Sequence, residues 1–376
     1  MNLNRTRRPH QGFSLIELMV GMVIGMIAIL IIAQMFINAE SNKRTTTGGD
    51  DAQINGTIAL YGLERDIQAS GYGLTSFHLM GCSLSYTTAS DSTPVVLPSI
   101  APVTVNPATS LVPAGDANTD TVLVMYGNSD SPPEGDPLIN ASTVSGYSFA
   151  TPSSFNLYDQ IIAEPKTRPS PCALQLETVN AVSGSTLTPS IGNAGLPTNS
   201  PIYNLGQSPV IRAYAIRNGA LTVCDYTAYN CGDASKTSNS SVWVPVANNI
   251  MSLRAEYGRD DSGTTAMSGT VTTYDQTTPG SAADTSGRPI YCGLARTLAV
   301  RLVIVARNET YDKHTLTTTA PTWTGDTVNT STAPTNPVSY PIDLSANTNW
   351  GHYRYKTIET TIPLRNQIWQ GSQTGC

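Results

Sequence analysis

Residues 18–37 carry no charge, and Gln34 is their one strongly polar side chain. At about 1.5 Å per residue, a helix of that length crosses the roughly 30 Å hydrocarbon core of a bilayer. Glu17 stands immediately before the run, and Arg5, Arg7 and Arg8 precede it. The positive-inside rule holds those arginines in the cytoplasm and places the chain beyond Asn38 across the membrane. A cleaved secretory signal is the rival reading. Its apolar region normally runs about 7–15 residues and closes on a small-x-small site. Here the run is longer and no Ala-x-Ala closes it. Thr6-Arg7-Arg8 hints at twin-arginine export, but Pro9-His10-Gln11 follows where that signal turns apolar.

The periodicity then changes twice. Asp51-Ala52-Gln53-Ile54 opens an amphipathic segment, and Ile54, Ile58, Tyr61, Leu63 and Ile67 recur at mostly helical spacing. They predict a helix with one buried stripe, on which a sheet packs. Gly48-Gly49 predicts a kink before it, and Gly71-Tyr72-Gly73 its end. Beyond that, alternation and short apolar runs predict strands over 121–126, 210–216, 250–257, 297–305 and 353–364. Proline- and Ser/Thr-rich stretches at 127–137 and 275–289 separate them, and no fixed repeat is present.

Composition agrees with an extracytoplasmic, loop-rich β protein. Only 13% of the 376 residues are charged, against roughly 25% in ordinary soluble proteins. A net charge of −6 leaves no nucleic-acid footprint.

Gly12-Phe13-Ser14-Leu15-Ile16-Glu17-Leu18 resembles the leader junction of type IV prepilins. In that family a membrane aspartyl peptidase cuts after the glycine and N-methylates the new terminal phenylalanine. The resemblance makes Gly12 the last leader residue, Phe13 the first mature and methylated residue, and Glu17 the fifth. Many major pilins carry a proline about two-thirds along this helix. Ala33-Gln34-Met35 stands there instead, leaving Gly21 and Gly25 as the weak points. Arg65-Asp66-Ile67-Gln68-Ala69-Ser70-Gly71-Tyr72 with Gly81-Cys82, the segment 247–258, and Pro363-Leu364-Arg365-Asn366 are similar to PilW-type minor pilins. Over about 137–209 the resemblance is silent.

The resemblance gives Glu17 a physical role. Cleavage leaves a positive amine on Phe13, and methylation keeps it charged. In a bundle of parallel helices, Glu17 of one subunit can neutralise the Phe13 amine of its neighbour. Each charge alone is costly in an apolar core, so the pair sets axial register. The competing reading is a glutamate tolerated at the membrane boundary by the helix N-terminal dipole. Gly21-x-x-x-Gly25 suits close helix packing, or is chance in a segment type rich in glycine.

Cys82, Cys172, Cys224, Cys231, Cys292 and Cys376 all follow the apolar segment, on the oxidising side. Their even number favours disulfides over metal ligation, with fifteen pairings open. Cys224 and Cys231 are close enough to close a small loop, and Cys376 suggests a tether, to Cys292 for instance. No CxxC occurs and His10, His78, His314 and His352 are scattered, so no zinc site is expected.

No catalytic motif is present: neither G-x-S-x-G nor H-E-x-x-H nor a phosphate loop. Asp116-x-Asn118-x-Asp120 begins like a calcium loop, but Thr121 and Gly127 occupy the glycine and glutamate positions, so a turn is expected. Arg259-Asp260-Asp261-Ser262-Gly263 reads as a solvated hairpin loop.

The expected fold class is α+β, with a long N-terminal helical spine packed on a large β-rich pilin-like head. The expected division is a leader over 1–12, a transmembrane helix over 13–38, its amphipathic continuation over 39–72, and a head over 73–376 with room for two lobes. The resemblance implies a non-enzymatic minor pilin without cofactor or metal, acting in pilus initiation or at the tip. Its implied partners are the prepilin peptidase/N-methyltransferase, other minor and major pilins, the inner-membrane assembly machinery and a tip adhesin. Its implied location is the bacterial inner membrane in a single pass, with the head periplasmic, and then the extracellular pilus. The alternatives are a minor pseudopilin of a type II secretion system, and a membrane-tethered extracytoplasmic enzyme or binding domain.

Overall fold

The computed structural model describes residues 12, 14–262, 266–281, 283–284, 286–325, 339–373, 375 and 376. The chain divides into two compact units, Met1–Asp50 and Asp51–Cys376. It is α+β. One helix, Leu15–Ala69, runs through both units, and the second unit is otherwise built mainly of strands. The helix continues through Gly48-Gly49, where the sequence predicted a kink. Glycine there lowers helix propensity by about 1 kcal/mol but removes no backbone hydrogen bond.

In the second unit the helix buries Ala52, Gly56, Ala59, Leu60, Leu63, Asp66, Ile67 and Ser70. This spacing of three and four is one stripe, but it is rotated from the predicted one. Ile54, Ile58 and Tyr61 are exposed, and only Leu63 and Ile67 of the predicted set are inside. The small residues won because the sheets come close. A Cβ built on Gly56 would lie 2.7 Å from Ile358 Cδ1 and 3.1 Å from Ala306 Cβ.

Two sheets share that core. A five-stranded sheet has Val210–Arg217 at its centre, flanked by Val122–Tyr126 and Ala220–Asp225, with Val103–Val105 and Val244–Asn248 at the edges. Its alternation serves two faces. Val122, Val124, Tyr214 and Ile216 join the helix core, while Leu123, Met125, Ala213 and Ala215 join a second core with Trp243. A four-stranded sheet has Thr297–Arg307 between Ile250–Arg259 and Tyr355–Pro363, with Thr273–Asp275 outside. Val300, Leu302, Ile304 and Ala306 face the helix core, and Val303 and Val305 face Trp323, Ile342 and Leu344. Cover on both faces explains the near-continuous apolar run of 297–305.

A third, eight-stranded sheet uses Ser83–Thr87, Pro94–Leu97, Ala173–Ser183, Gln160–Ala163, Pro201–Gly206 and Asp136–Pro137, with Tyr147–Ser148 and Thr186–Pro189 beside them. Its own small core holds Tyr147, Phe149, Phe155 and Ile161. The long helix ends at Ala69, with Gly71 in the left-handed region at φ +79°. The Asn366 amide donates to Ala69 O and Ser70 O at 3.0 Å each, satisfying carbonyls that a helix end leaves open.

Candidate assembly site

In the first unit, residues Leu15–Glu40 form a helical stretch apolar and long enough to cross a membrane, and none of it is buried within the chain. Ser14 and Glu17 begin it as a capping box, Ser-x-x-Glu. The Ser14 backbone N–H donates to Glu17 Oε2 at 3.0 Å, and the Ile16 N–H donates to Ser14 Oγ at 3.3 Å. Glu17 thus holds a helix-start donor with one oxygen, while a carboxylate can accept up to about four hydrogen bonds. Among the described residues its other oxygen has no hydrogen-bond partner. The signal for this box, Ser14 three residues before Glu17, lies in plain view in the sequence. Gly21, one turn on, opens a shallow notch lined by Ile16, Glu17, Val20 and Ile24. Apart from chain neighbours and the helix's own backbone, no atom of the described residues comes within 4 Å of a Cβ built on Gly12, Gly21 or Gly25. Phe13, Arg5, Arg7 and Arg8 lie outside the described residues.

The second unit contains an acid that the sequence reading did not single out. Asp66 is buried on the helix and accepts from Tyr214 Oη at 2.5 Å, Tyr126 Oη at 2.9 Å and Arg212 Nη1 at 3.0 Å. All three donors come from the five-stranded sheet, so this carboxylate fastens sheet to helix. Burial and the neighbouring Asp66 push the Tyr126 hydroxyl up to about 12. The same two causes raise Tyr214. Burial opposes the charge of Arg212, but Asp66 outweighs it and the guanidinium pKa is raised. No sequence signal marks this role, because the donors are 60 to 148 residues away.

A second buried acid is of the opposite kind. Glu164 is fully buried and neither carboxylate oxygen has a hydrogen-bond partner, the Tyr203 hydroxyl donating instead to Ser76 at 2.7 Å. His78 Nδ1 lies 3.5 Å away. Burial pushes Glu164 up to about 7 against the lowering pull of Arg168.

The six cysteines form three bonds: Cys82–Cys172, Cys224–Cys231 and Cys292–Cys376. The first joins the turn after the helix to the eight-stranded sheet, and the third anchors Cys376 beside the four-stranded sheet. Arg296, itself buried, donates to Cys376 O at 2.5 Å and to Asp260 O at 3.0 Å.

Asp116 and Asp120 turn to separate partners. Asp116 accepts from the backbone of Asn218 and Gly219, while Asp120 accepts from Arg254, Ala255, Gln276 and Asn106. Asp260 corrects an expectation. Asp260 is buried, with Ser262, Gly269 and Arg296 around its carboxylate and its N–H donating to Arg296 O, whereas Asp261 is exposed and Gly263 lies outside the described residues. Among the described residues no group of three His, Cys, Asp or Glu is placed to hold a metal ion.

Residues 213–366 match the family model described as Type IV Pilus-assembly protein W, and residues 7–33 match the prokaryotic N-terminal methylation motif. No curated protein and no solved structure matches the chain. The first match begins in the central strand of the five-stranded sheet and takes in the three long strands of the four-stranded sheet and Asn366. The second covers the capping box and most of the apolar helix. The chain is thus similar to PilW-type pilus-assembly proteins over its C-terminal part and carries the methylation motif at its N-terminus.

Proposed function

We propose that this chain is a minor subunit of a type IV pilus, cut after Gly12, methylated on Phe13, and placed with other pilins where the filament begins or at its tip. The observation that carries the reading is the N-terminal segment. A methylation-motif match over residues 7–33 coincides with an apolar helix of which nothing is buried in the chain and which starts on one acid. Such a surface asks for lipid, and then for other helices, as its surroundings. In the membrane the head lies on the periplasmic side, opposite the arginine-rich leader. The second unit, Asp51–Cys376, which holds the head, is large for a domain, which suits a subunit present in few copies at an end rather than packed along a shaft. Glu17 sets register through the free side of its carboxylate, meeting the Phe13 amine of the next subunit.

The test uses Glu17→Val in the full chain. Removing the acid from an apolar segment makes insertion as good or better. Cleavage continues, since Gly12 and the basic leader are intact. The unpaired neighbouring amine lowers recovery with other pilins in sheared filaments. A terminal subunit can lack one axial neighbour, so the loss is milder than in a shaft pilin. Incorporation at wild-type levels would leave Glu17 as a helix cap alone. A bulky residue at Gly12 leaves the leader attached and the protein in the membrane, and normal processing of that variant refutes the prepilin reading. Copurification with secretion-system subunits instead of pilus subunits moves the chain to the pseudopilin alternative.

A further inference from the structure

The eight-stranded sheet contains a fork. Ser83–Thr87 runs parallel to Ala173–Ser183 for only three pairs, from Ser83 with Ala173 to Ser85 with Gln175. Beyond Gln175 the two strands no longer pair, and Tyr86 and Thr87 remain with Val95 and Pro94. The two strands therefore part, and a cleft of about 840 Å³ opens between them under the loop 207–210. That volume lies within the roughly 300–1,000 Å³ of ligand pockets.

Its chemistry is narrow. Among the described residues its charged lining is Arg212 and Asp225, and each holds a partner: Asp66 at 3.0 Å for Arg212, the Thr227 hydroxyl at 2.7 Å for Asp225. The one cation of the lining is already paired with the buried Asp66 carboxylate, so a phosphate or sulfate would have to compete with that acid for it. An apolar guest would desolvate the glutamine and hydroxyl groups of the walls without replacing their water. Gln160 and Thr178 hold each other at 3.1 Å, and Gln207 is fixed by Leu157 O at 3.0 Å. The Gln175 side chain is exposed and makes no hydrogen bond among the described residues. An amide offers donors and an acceptor together, as a ring of hydroxyls requires. Val96 and Ile191, exposed on the same cleft, and the half-buried Tyr86 ring supply apolar contact for C–H faces.

Strand addition fits poorly. Ser190 Oγ accepts from Thr178 N at 2.9 Å and Ser190 N donates to Thr178 O at 2.8 Å, closing the fork three residues beyond the Ser85–Gln175 pair. An added peptide strand needs a longer free edge. We propose that this cleft binds a neutral oligosaccharide, with Gln175 as a direct hydrogen-bonding residue and Val96 and Ile191 as the apolar flank. This assignment is independent of how the chain is assembled or displayed.

The experiment uses the full chain in lauryldimethylamine oxide, a detergent without a sugar head. Cellotetraose, chitotetraose and maltotetraose are the probes, read by saturation-transfer NMR and calorimetry. At least one binds, and Gln175→Ala and Ile191→Trp each weaken it by about tenfold, a loss of about 1.4 kcal/mol. Both side chains are exposed, so the melting temperature of each variant stays that of the wild type. The proposal is overturned if none of the three binds at about 5 mM, if both variants bind as the wild type does, or if a sulfated oligosaccharide or an extended peptide competes better than any neutral probe.

Discussion

One helix carries two acids in two different surroundings. Near its start, Glu17 sits in an exposed apolar stretch, and among the described residues its hydrogen-bond partner is the backbone of Ser14. Nearer its end, Asp66 is buried beneath a sheet and holds three side-chain donors. The contrast teaches what each acid is for. Asp66 is satisfied inside its own chain, so its work is folding. Glu17 retains unused acceptor capacity on an exposed apolar surface, which fits the role between subunits proposed for it.

The largest test of that contrast is stability. Asp66→Ala leaves two tyrosine hydroxyls and a guanidinium without their acceptor and is expected to cost about 3–5 kcal/mol, the range for breaking a buried ion pair. Denaturant unfolding of the full chain measures it. Glu17→Ala in the same assay leaves head unfolding within about 0.5 kcal/mol of wild type.

Glu164 sharpens the comparison as a buried acid with no donor. Its folded pKa is raised to about 7 from an ordinary 4.5, so the folded head holds the proton more tightly than the unfolded chain. Its stabilising protonation is complete below about 4.5 and is lost as pH rises through about 7. Across that window stability falls by about 3 kcal/mol. Glu164→Gln, neutral at every pH, is expected to flatten the fall. The lowered carboxylates, Asp91 and Asp260 among them, act at the acid end instead. A stability profile that rises from pH 5 to 7 in the wild type overturns the assignment.

Glycines extend the contrast to packing. Gly56→Leu drives side-chain atoms into Ile358 and Ala306 and is expected to cost about 1–3 kcal/mol by overpacking. Gly25→Leu meets nothing within the chain and leaves head unfolding unchanged. Its effect is read in recovery of pilin partners, which drops if a neighbouring helix packs there. The smallest effect is at the apolar positions facing outward. Ile58→Ser changes stability by less than about 0.5 kcal/mol, and a loss above about 2 kcal/mol would return Ile58 to the core.

Much of the architecture was readable without coordinates. The strands over 121–126, 210–216, 250–257, 297–305 and 353–364 match observed ones to within a few residues, because each feeds a core face and carries the period of its structure. The eight-stranded sheet was not readable. Its strands are mostly short, among them Asp136–Pro137 and Tyr147–Ser148, and too brief to establish alternation. The helix stripe was misjudged for a different reason. Ile54, Ile58 and Tyr61 outrank Ala52, Gly56 and Ala59 in apolar surface, yet close approach of the sheets selects small side chains.

Sequence by itself determined the membrane-length helix, its Ser14–Glu17 cap and the leader motif, because each depends on neighbours within a few residues and on a solvent that the apolar run specifies. It also placed all six cysteines beyond that run. Only the tertiary structure decided which face of the helix is buried, which acid folds the head, which cysteines meet, and where a strand fork opens a cleft. Those outcomes depend on contacts between residues as far apart as Asp66 and Tyr214, separated by 148 positions, and no local period encodes such a meeting.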